Sequence, residues 1–244
     1  MALVCEESSL GTICWDESFE RLTGIRFRII GRGPNTAPGR TLCGDPTLRE
    51  LYGISDLCLL SQVHGCTIRE FSEWNGNSAC LPEGDAVLVR ISTLHESSRA
   101  YGVKTADCLP LVAVAGDWVA LVHAGWRGLA AGIVQQVVRL LAERSGAHEL
   151  HLLVGPHALQ SSYEVGADVI ESFLRQGVQP KFTPSGQPER FLLSLQDTLV
   201  ALVDRQGPIP IQWYLTDVDT ITDTRFHSHR RDGTQAGRNI TFIW

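Results

Sequence analysis

The sequence lacks an apolar run long enough to cross a membrane. Its longest apolar stretch, around residues 109–124, is interrupted by Gly116 and Asp117, whereas a spanning helix needs about 20 consecutive apolar residues. Residues 1–7 also lack the basic region and apolar core of a secretory signal peptide. We therefore expect a cytoplasmic protein with no membrane partner.

Runs of basic residues are missing as well. The chain has 21 basic and 27 acidic residues and a formal net charge of −6, which argues against nonspecific nucleic-acid binding because that activity needs a cationic surface. The positive charge is local, at Arg127 and near the C-terminus at Arg225, Arg230, Arg231 and Arg238. Such islands favour a small anionic ligand, the alternative being a solvated surface.

The seven cysteines show no pattern of pairing. Their number is odd, they are dispersed, and no secretory context favours disulfides, so we expect most of them to be reduced thiols. Only Cys108 has a suggestive partner, an imidazole in the same predicted hairpin.

The apolar pattern predicts an α/β fold. At 244 residues the chain has the length of one domain or of a closely fused pair. Continuous apolar strands alternate with amphipathic helices, a pattern typical of a sheet covered on both faces. The predicted strands are Leu57–Val63, Ala86–Ile91, Leu150–Val154, Ile209–Leu215 and Asn239–Trp244, and the predicted helices are Leu129–Arg144, Ala167–Gln176 and Arg190–Arg205.

The segment 105–128 predicts a hairpin that brings a thiol and an imidazole together. Gly116-Asp117 separates two apolar runs, and a two-residue turn that begins with glycine is a strong hairpin signal. In that register Pro110 faces His123. Because strand side chains alternate, Cys108 and His123 are then diagonal neighbours on one face. A three-residue turn would place them on opposite faces.

A second imidazole, His64, lies at the end of a predicted strand and completes a candidate metal site with Cys108 and His123. Two histidines and one thiolate suit zinc, and since no fourth ligand is evident we expect three protein ligands plus water, with the ion acting as a Lewis acid. Copper is the alternative ion, although blue-copper sites add an axial ligand such as methionine and this chain has only Met1. The same residues could instead be ordinary packing and surface residues, or Cys108 could be a nucleophile with His123 as its base.

Two further residues are candidates for the same site. Arg127 precedes a predicted helix, where free N–H groups, the helix dipole and the guanidinium suit a phosphate or carboxylate; alternatively it stacks on Trp126. Asp85 enters a predicted strand, where its carboxylate can orient a ligating imidazole or bind a ribose hydroxyl; alternatively it forms a turn.

An ordered set of motifs extends from about residue 60 to the C-terminus. It comprises Gln62-Val63-His64-Gly65, Gly84-Asp85-Ala86, Thr105-Ala106-Asp107-Cys108-Leu109-Pro110, His123-Ala124-Gly125-Trp126-Arg127-Gly128, Gly155-Pro156, Tyr163-Glu164-Val165-Gly166, and Arg230-Arg231-Asp232-Gly233 with Gly237-Arg238. In order and spacing these motifs resemble the YfiH family, also labelled the multicopper polyphenol oxidase or laccase domain. The combination of the third and fourth motifs is highly specific.

The resemblance implies a layered mixed-sheet α/β sandwich with flanking helices, of the cytotoxic-necrotizing-factor type, as a single catalytic domain over residues 1–244. It implies zinc held by His64, Cys108 and His123, and phosphorolysis of adenosine, inosine, guanosine and methylthioadenosine, with adenosine deamination as a further activity. The partners would be a purine nucleoside and phosphate, and the protein a monomer or homodimer. His64, Arg127, Arg230 and Arg231 would contact the substrate or phosphate, and Cys108, His123, Arg127 and Asp85 would form the catalytic set.

Three other functions stay open: an amidase that edits peptidoglycan precursors, a copper-dependent polyphenol oxidase, and a noncatalytic binding module. The oxidase would require several copper ions and many more clustered histidines. The chain also departs from the family pattern. It lacks the Asn-Arg pair before Gln62, which leaves Arg40 and Arg49 as candidates for a substrate-contacting arginine, and Ser161-Ser162 replaces a cysteine pair.

Overall fold

The computed structural model describes residues 3–71 and 82–244 and has an α/β architecture. Within these residues the strands are β1 Val4–Ser8, β2 Gly11–Trp15, β3 Phe27–Ile30, β4 Asp56–Leu59, β5 Ile68–Glu70, β6 Ala86–Arg90, β7 Arg99–Thr105, β8 Leu109–Ala115, β9 Trp118–Ala124, β10 Leu150–Val154, β11 Glu164–Gly166, β12 Lys181–Pro184, β13 Arg190–Ser194, β14 Ile211–Leu215 and β15 Asn239–Ile243. The α-helices are α1 Glu17–Thr23, α2 Pro46–Tyr52, α3 Ile91–His95, α4 Trp126–Ala130, α5 Ile133–Ser145, α6 Ala167–Arg175, α7 Leu195–Gln206 and α8 His229–Asp232. None of these helices is both long and apolar enough to cross a bilayer.

The strands form two six-stranded sheets and one small sheet. The first sheet has the order β1-β2-β3-β15-β7-β4, the second β14-β10-β8-β9-β6-β5, and the small sheet β11-β13-β12. Both large sheets are mixed, because β4 pairs with β7, β10 with β14 and β5 with β6 in parallel while the other pairings are antiparallel. The expected mixed-sheet α/β sandwich is thereby confirmed.

The core consists of layers of apolar side chains on both sides of the second sheet. Val112 and Leu121 of that sheet pack against Ile29 and Val103 of the first sheet. Its opposite face is covered by α5, α6 and α7, and the outer face of the first sheet packs on α2. Because β8 and β9 are buried at every position, their sequences are apolar without alternation.

The central hairpin has the predicted two-residue turn and register. Ala115 pairs with Trp118 and Pro110 with His123. Gly116 adopts a φ of +53° in the turn, a left-handed conformation that glycine enters without steric penalty.

Two predicted elements end where the backbone turns toward the site. The predicted strand Leu57–Val63 stops at Leu59, because the N–H groups of residues 63–65 donate to the Asp85 side chain instead of to a neighbouring strand. The predicted helix Leu129–Arg144 begins earlier, at Trp126, and is divided at Gly132, which has a φ of +86°.

The predicted helix Arg190–Arg205 is wrong in its first part. Arg190–Ser194 is β13, which pairs with both β11 and β12, and the helix starts only after Ser194, whose hydroxyl accepts a hydrogen bond from the Asp197 N–H. The apolar run Phe191–Leu193 suits either structure, and strand pairing decides between them. The remaining predicted elements differ from the observed ones by no more than two residues at either end.

The expectation for the cysteines needs one correction. Cys5 and Cys14 form a disulfide, because the antiparallel pairing of β1 with β2 places them directly opposite each other. Four cysteines are free, namely Cys43, Cys58, Cys66 and Cys108, and Cys80 lies outside the described residues.

Two buried histidines link stability to pH. His157 is 1% exposed and His227 3% exposed. The His157 Nδ1 donates to the Gly155 carbonyl at 2.9 Å, and the His227 Nε2 lies 3.0 Å from the Thr36 hydroxyl. Burial lowers the pKa of each imidazole to about 4, and the nearby Arg32 adds to this effect at His227. Both side chains are therefore neutral in the folded protein at neutral pH.

We expect the free energy of unfolding to decrease as the pH falls from 6.5, the ordinary histidine value, to about 4. In this window the two histidines of the unfolded chain bind protons, whereas those of the folded protein stay neutral. The free energy of unfolding, which is at its full value above pH 6.5, therefore falls by about 3 kcal/mol for each histidine. Urea unfolding at several pH values measures this loss. His157→Asn and His227→Asn should each lose less stability across the window than the parent protein, and an unchanged slope in both variants would contradict the assignment.

Candidate metal centre and its cavity

Three side chains that can ligate a metal meet at one end of the second sheet. Cys108 immediately precedes β8, His123 is near the end of β9, and His64 lies on the loop after β4. Their candidate ligand atoms all lie within 4.8 Å of one another. The two imidazole rings meet edge to face with their centroids 4.7 Å apart. The proximity of Cys108 to His123 follows from the hairpin register, whereas the approach of His64 depends on its loop.

The buried carboxylate of Asp85 holds that loop and the His123 ring together. Its Oδ1 accepts hydrogen bonds from the His123 Nδ1 at 2.8 Å and from the His64 backbone N–H at 3.0 Å. Its Oδ2 accepts from the backbone N–H of Gly65 at 2.7 Å and of Val63 at 3.3 Å. The bond to Nδ1 leaves the Nε2 of His123 available as a ligand. His64 itself has a φ of +60°, an uncommon conformation for a residue with a side chain, which these bonds stabilise.

The charges in the cluster reinforce one another. Burial alone would raise the pKa of Asp85, but hydrogen bonds from His123 and from backbone N–H groups lower it. Burial would also raise the pKa of the Cys108 thiol, yet hydrogen bonds with His123 and His64 bring it down to about 7. For His123 burial would lower the pKa, but hydrogen bonds with Asp85 and Cys108 raise it to about 9. A thiolate is therefore accessible near neutral pH.

This donor set fits a borderline or soft metal ion. Two imidazole nitrogens and a thiolate are ligands that zinc and copper both accept. In the part of the chain that the structure describes, these residues form the one group of three or more histidine, cysteine or carboxylate side chains with such spacing.

The cluster opens into a cavity of about 610 Å³. Its wall contains five of the residues proposed from the sequence: His64, Cys108, His123, Arg127 and Arg230. Asp85 lies behind His123, and Arg231 is absent from the wall. The remaining lining residues are Arg238, from the basic group near the C-terminus, Trp126, the stacking partner considered for Arg127, and seven residues to which the sequence assigned no role: Gln62, Lys104, Thr105, Ala106, Asp107, Tyr163 and His229.

Two of the three arginines that line this cavity stack on aromatic rings. The guanidinium carbon of Arg127 lies 4.2 Å from the centroid of the Trp126 ring, and that of Arg230 lies 5.1 Å from the Tyr163 ring. Both arginines are exposed. Arg127 belongs to the first turn of α4 and does not precede the helix. It therefore combines the two arrangements that the sequence left open, because it stacks on Trp126 and also faces the cavity.

Arg231 has a different environment from its neighbour. Its guanidinium donates to the backbone carbonyls of Thr220, Ile221 and Phe226 and to the carboxylate of Asp232. These bonds tie the loop 220–228 to α8. Arg230 therefore lines the cavity, whereas the N–H groups of Arg231 donate hydrogen bonds within the protein.

Some lining residues belong to motifs recognised in the sequence, but their positions come from long-range pairing. The Gln62 side chain donates to the Lys104 carbonyl at 2.7 Å and accepts from the Lys104 N–H at 2.8 Å, which joins the His64 loop to the end of β7. Burial raises the pKa of Tyr163 to about 12, so its ring presents a neutral hydroxyl. No local pattern marks Lys104, because its place depends on the first sheet.

Comparison with known proteins places the chain in a family. The family described as multi-copper polyphenol oxidoreductase laccase matches residues 46–244. A protein from Xylella fastidiosa (strain Temecula1) named purine nucleoside phosphorylase is 33% identical over 192 residues, which cover 76% of this chain and 70% of the relative. A protein from an unknown prokaryotic organism named adenosine deaminase RL5 is 32% identical over 181 residues, covering 64% of this chain and 66% of the relative.

A solved structure agrees with the fold. The crystal structure of the hypothetical protein YfiH from Bacillus licheniformis matches with a TM-score of 0.81 at 18% identity, covering 98% of both chains. At that identity the likeness concerns the fold alone. Since the family match extends over most of the chain and includes every motif noted in the sequence, this chain belongs to the multi-copper polyphenol oxidoreductase laccase family, the YfiH family that its motifs resemble.

Proposed function

We propose that this chain is a zinc-dependent purine nucleoside phosphorylase whose catalytic domain spans residues 1–244. The observation that carries the proposal is the His64, Cys108 and His123 cluster at the wall of a cavity that also presents two arginines stacked on aromatic rings. The name of the Xylella fastidiosa relative supports the choice of reaction.

The donor set supports a resident metal ion held by His64, Cys108 and His123. When bound, such an ion supplies Lewis-acid stabilisation of negative charge. In this proposal Cys108 serves as a ligand and not as a nucleophile, since a thiolate engaged by a metal has its lone pair occupied. Asp85 acts as a positioning residue, because it fixes the ring of His123 and the loop of His64 without lining the cavity.

The reaction itself needs anion binding and a surface for the base. A phosphate oxygen forms a bond to C1′ of the ribose while the bond from C1′ to the purine nitrogen breaks, and its electron pair leaves with the purine. The proton that hydrogen phosphate gives up balances the one that the purine nitrogen gains. Arg127 and Arg230 provide charged donors for the phosphate, and Trp126 and Tyr163 provide flat apolar surfaces for the purine.

His64 is the most exposed of the three candidate ligands, so we assign it a contact with the substrate as well as with the metal. Arg231 is left out of phosphate binding because its donors are already engaged with backbone carbonyls and Asp232.

Adenosine deamination is a second candidate activity, favoured by the relative named adenosine deaminase RL5. It would replace the 6-amino group of the purine by a water-derived oxygen and release ammonia. The same cavity would serve, but the reaction would take place at the base and not at the sugar. Assays with adenosine in the absence of phosphate separate the two activities, because only deamination proceeds without phosphate.

The first test removes the candidate ligands one at a time. We expect the parent protein to bind about one zinc ion per chain, whereas Cys108→Ala and His123→Ala should lose most of the metal and roughly a hundredfold or more of the phosphorolysis rate. Elemental analysis measures the metal, and chromatography of hypoxanthine and ribose 1-phosphate formed from inosine and phosphate measures the rate. Both variants should keep the parent's circular-dichroism spectrum, because the apolar sheets supply the core.

Four outcomes would count against the proposal. A zinc-loaded parent protein that releases no hypoxanthine from inosine would exclude the phosphorylase assignment. Stoichiometric copper with oxygen uptake on a phenol would favour the oxidase instead, and release of amino acid from a peptidoglycan precursor would favour the amidase. A biological effect that survives His123→Ala would indicate a noncatalytic binding module.

A second test perturbs the site with one methyl group. A Cβ on Gly125 would lie 2.9 Å from the His64 Cδ2 and 3.0 Å from the Cys108 Sγ, although the backbone φ of −74° accepts alanine. We therefore expect Gly125→Ala to weaken zinc binding by about 10- to 100-fold without unfolding the protein. Gly65→Ala is the matched control, because its Cβ would meet its nearest neighbours at 3.5 Å. Competition with a chelator measures both affinities, and equal values would show that the three side chains do not share an ion.

A further inference from the structure

A second cavity, of about 570 Å³, adjoins the metal cavity. Lys104 and Arg238 line both of them, so these two side chains stand at the junction. The rest of the second cavity is lined by the segment 36–41, by Thr234, Ala236 and Gly237, and by Cys43, Leu59 and Ile240. None of the three candidate metal ligands is among the described residues that line the second cavity.

Positive charge in the second cavity has no acidic counterpart. Arg40, Lys104 and Arg238 contribute three cations, and the described lining contains neither aspartate nor glutamate. None of the ion pairs found among residues 3–71 and 82–244 includes any of the three. In a chain with a net charge of −6, an unpaired group of cations lining a concave surface favours an anionic ligand.

The environments of Arg238 and Lys104 agree with an anionic ligand. Arg238 donates through Nη1 only to the carbonyls of Ala236 and Gly237, next to it in the chain, which leaves most of its donors available. Burial lowers the pKa of Lys104, the nearby Cys43 acts against this, and the nearby Arg238 lowers the pKa further. An anion between Lys104 and Arg238 would favour the charged form of Lys104.

The walls of the second cavity are joined to each other. The Arg238 backbone N–H donates to the Thr36 carbonyl at 2.9 Å, and the Thr36 hydroxyl contacts the buried His227 ring at 3.0 Å. The segments 36–41 and 234–238 are thus connected through protein hydrogen bonds and present a formed concavity.

We propose that the second cavity is an oxyanion subsite that binds a phosphate group through Arg40, Lys104 and Arg238. The phosphate either is free in solution or is carried by a ligand whose remainder occupies the metal cavity. This subsite is distinct from the phosphate position assigned to Arg127 and Arg230, and it does not depend on the phosphorylase activity.

Arg40 offers the cleanest test, because it is exposed and lines only the second cavity. Isothermal titration calorimetry on the metal-loaded protein would measure the binding of inorganic phosphate, adenosine and adenosine 5′-monophosphate. We expect Arg40→Ala to weaken binding of the phosphate-containing probe about tenfold and to leave adenosine binding unchanged. Arg49→Ala is the matched control, since this exposed arginine on α2 lines neither cavity. Lys104→Gln provides a second variant with the same expected loss.

The probes identify the source of the phosphate. Adenosine 5′-monophosphate that binds the parent about tenfold more tightly than adenosine, with the difference abolished by Arg40→Ala, supports a phosphate carried by the ligand. Inorganic phosphate binding that falls in Arg40→Ala, without a preference for the monophosphate, supports free phosphate.

Phosphate and monophosphate affinities that are the same in the parent, Arg40→Ala and Lys104→Gln would overturn the subsite, as would a parent protein that binds neither probe. Inosine phosphorolysis by the parent is assayed separately. A parent that binds phosphate through Arg40 but does not cleave inosine would refute the proposed function and keep the subsite.

Discussion

The carboxylate of Asp85 is the group on which the whole site depends. It is fully buried, and burying a carboxylate in an apolar surrounding is strongly unfavourable unless hydrogen bonds compensate it. Four donors do so: the His123 ring and the backbone N–H groups of residues 63–65. The same carboxylate accepts hydrogen bonds from the hairpin and from the loop. If His123 or His64 moved, the buried carboxylate would therefore lose hydrogen-bond donors. The buried negative charge of Asp85 thus determines how the two candidate histidine ligands are positioned.

The layered architecture explains why this arrangement is tolerated. β8 and β9 are buried on both faces, between the first sheet and the helices, and their apolar side chains hold the hairpin rigid. Polar residues collect only where these strands end, at Cys108 and His123. The cations arrive from elsewhere, since Arg230 and Arg238 lie around α8 and β15 and Lys104 lies at the end of β7. The candidate metal ligands and the cations therefore come from different large sheets and the loops that follow their strands.

Local sequence signals were enough to predict part of this structure. The glycine-led turn at Gly116 set the register of the hairpin, and with it the pairing of Pro110 with His123, because both depend on adjacent residues and on a period of two. Leu150–Val154 was predicted with its observed bounds for the same reason. Phe191–Leu193 was mispredicted as helix, since neither of its strand partners, the preceding β12 and the more distant β11, was recognised in the sequence. The Cys5–Cys14 bond was missed because the pairing of β1 was not recognised.

Two neighbouring arginines show where sequence reasoning stops. Arg230 and Arg231 had equal standing as phosphate ligands, yet one faces the cavity over Tyr163 and the other donates to backbone carbonyls of the loop before it. Which of the two arginines faces the cavity depends on the position of α8. The hydrogen bond from the Arg230 backbone N–H to the Asp107 carboxylate fixes that position. Lys104 was overlooked because its neighbours come from three separate parts of the chain.

The position of β15 has a consequence for the order in which the molecule forms. This strand, last in chain order, lies between β3 and β7 in the interior of the first sheet. Ile240 pairs with Ile30 on one side and with Lys104 on the other, so the ribosome must synthesise more than two hundred residues after β3 before the sheet can close. Contacts between such distant segments slow folding. During translation β3 and β7 each keep one unpaired edge until their common neighbour emerges, and an unpaired strand edge can pair with another chain.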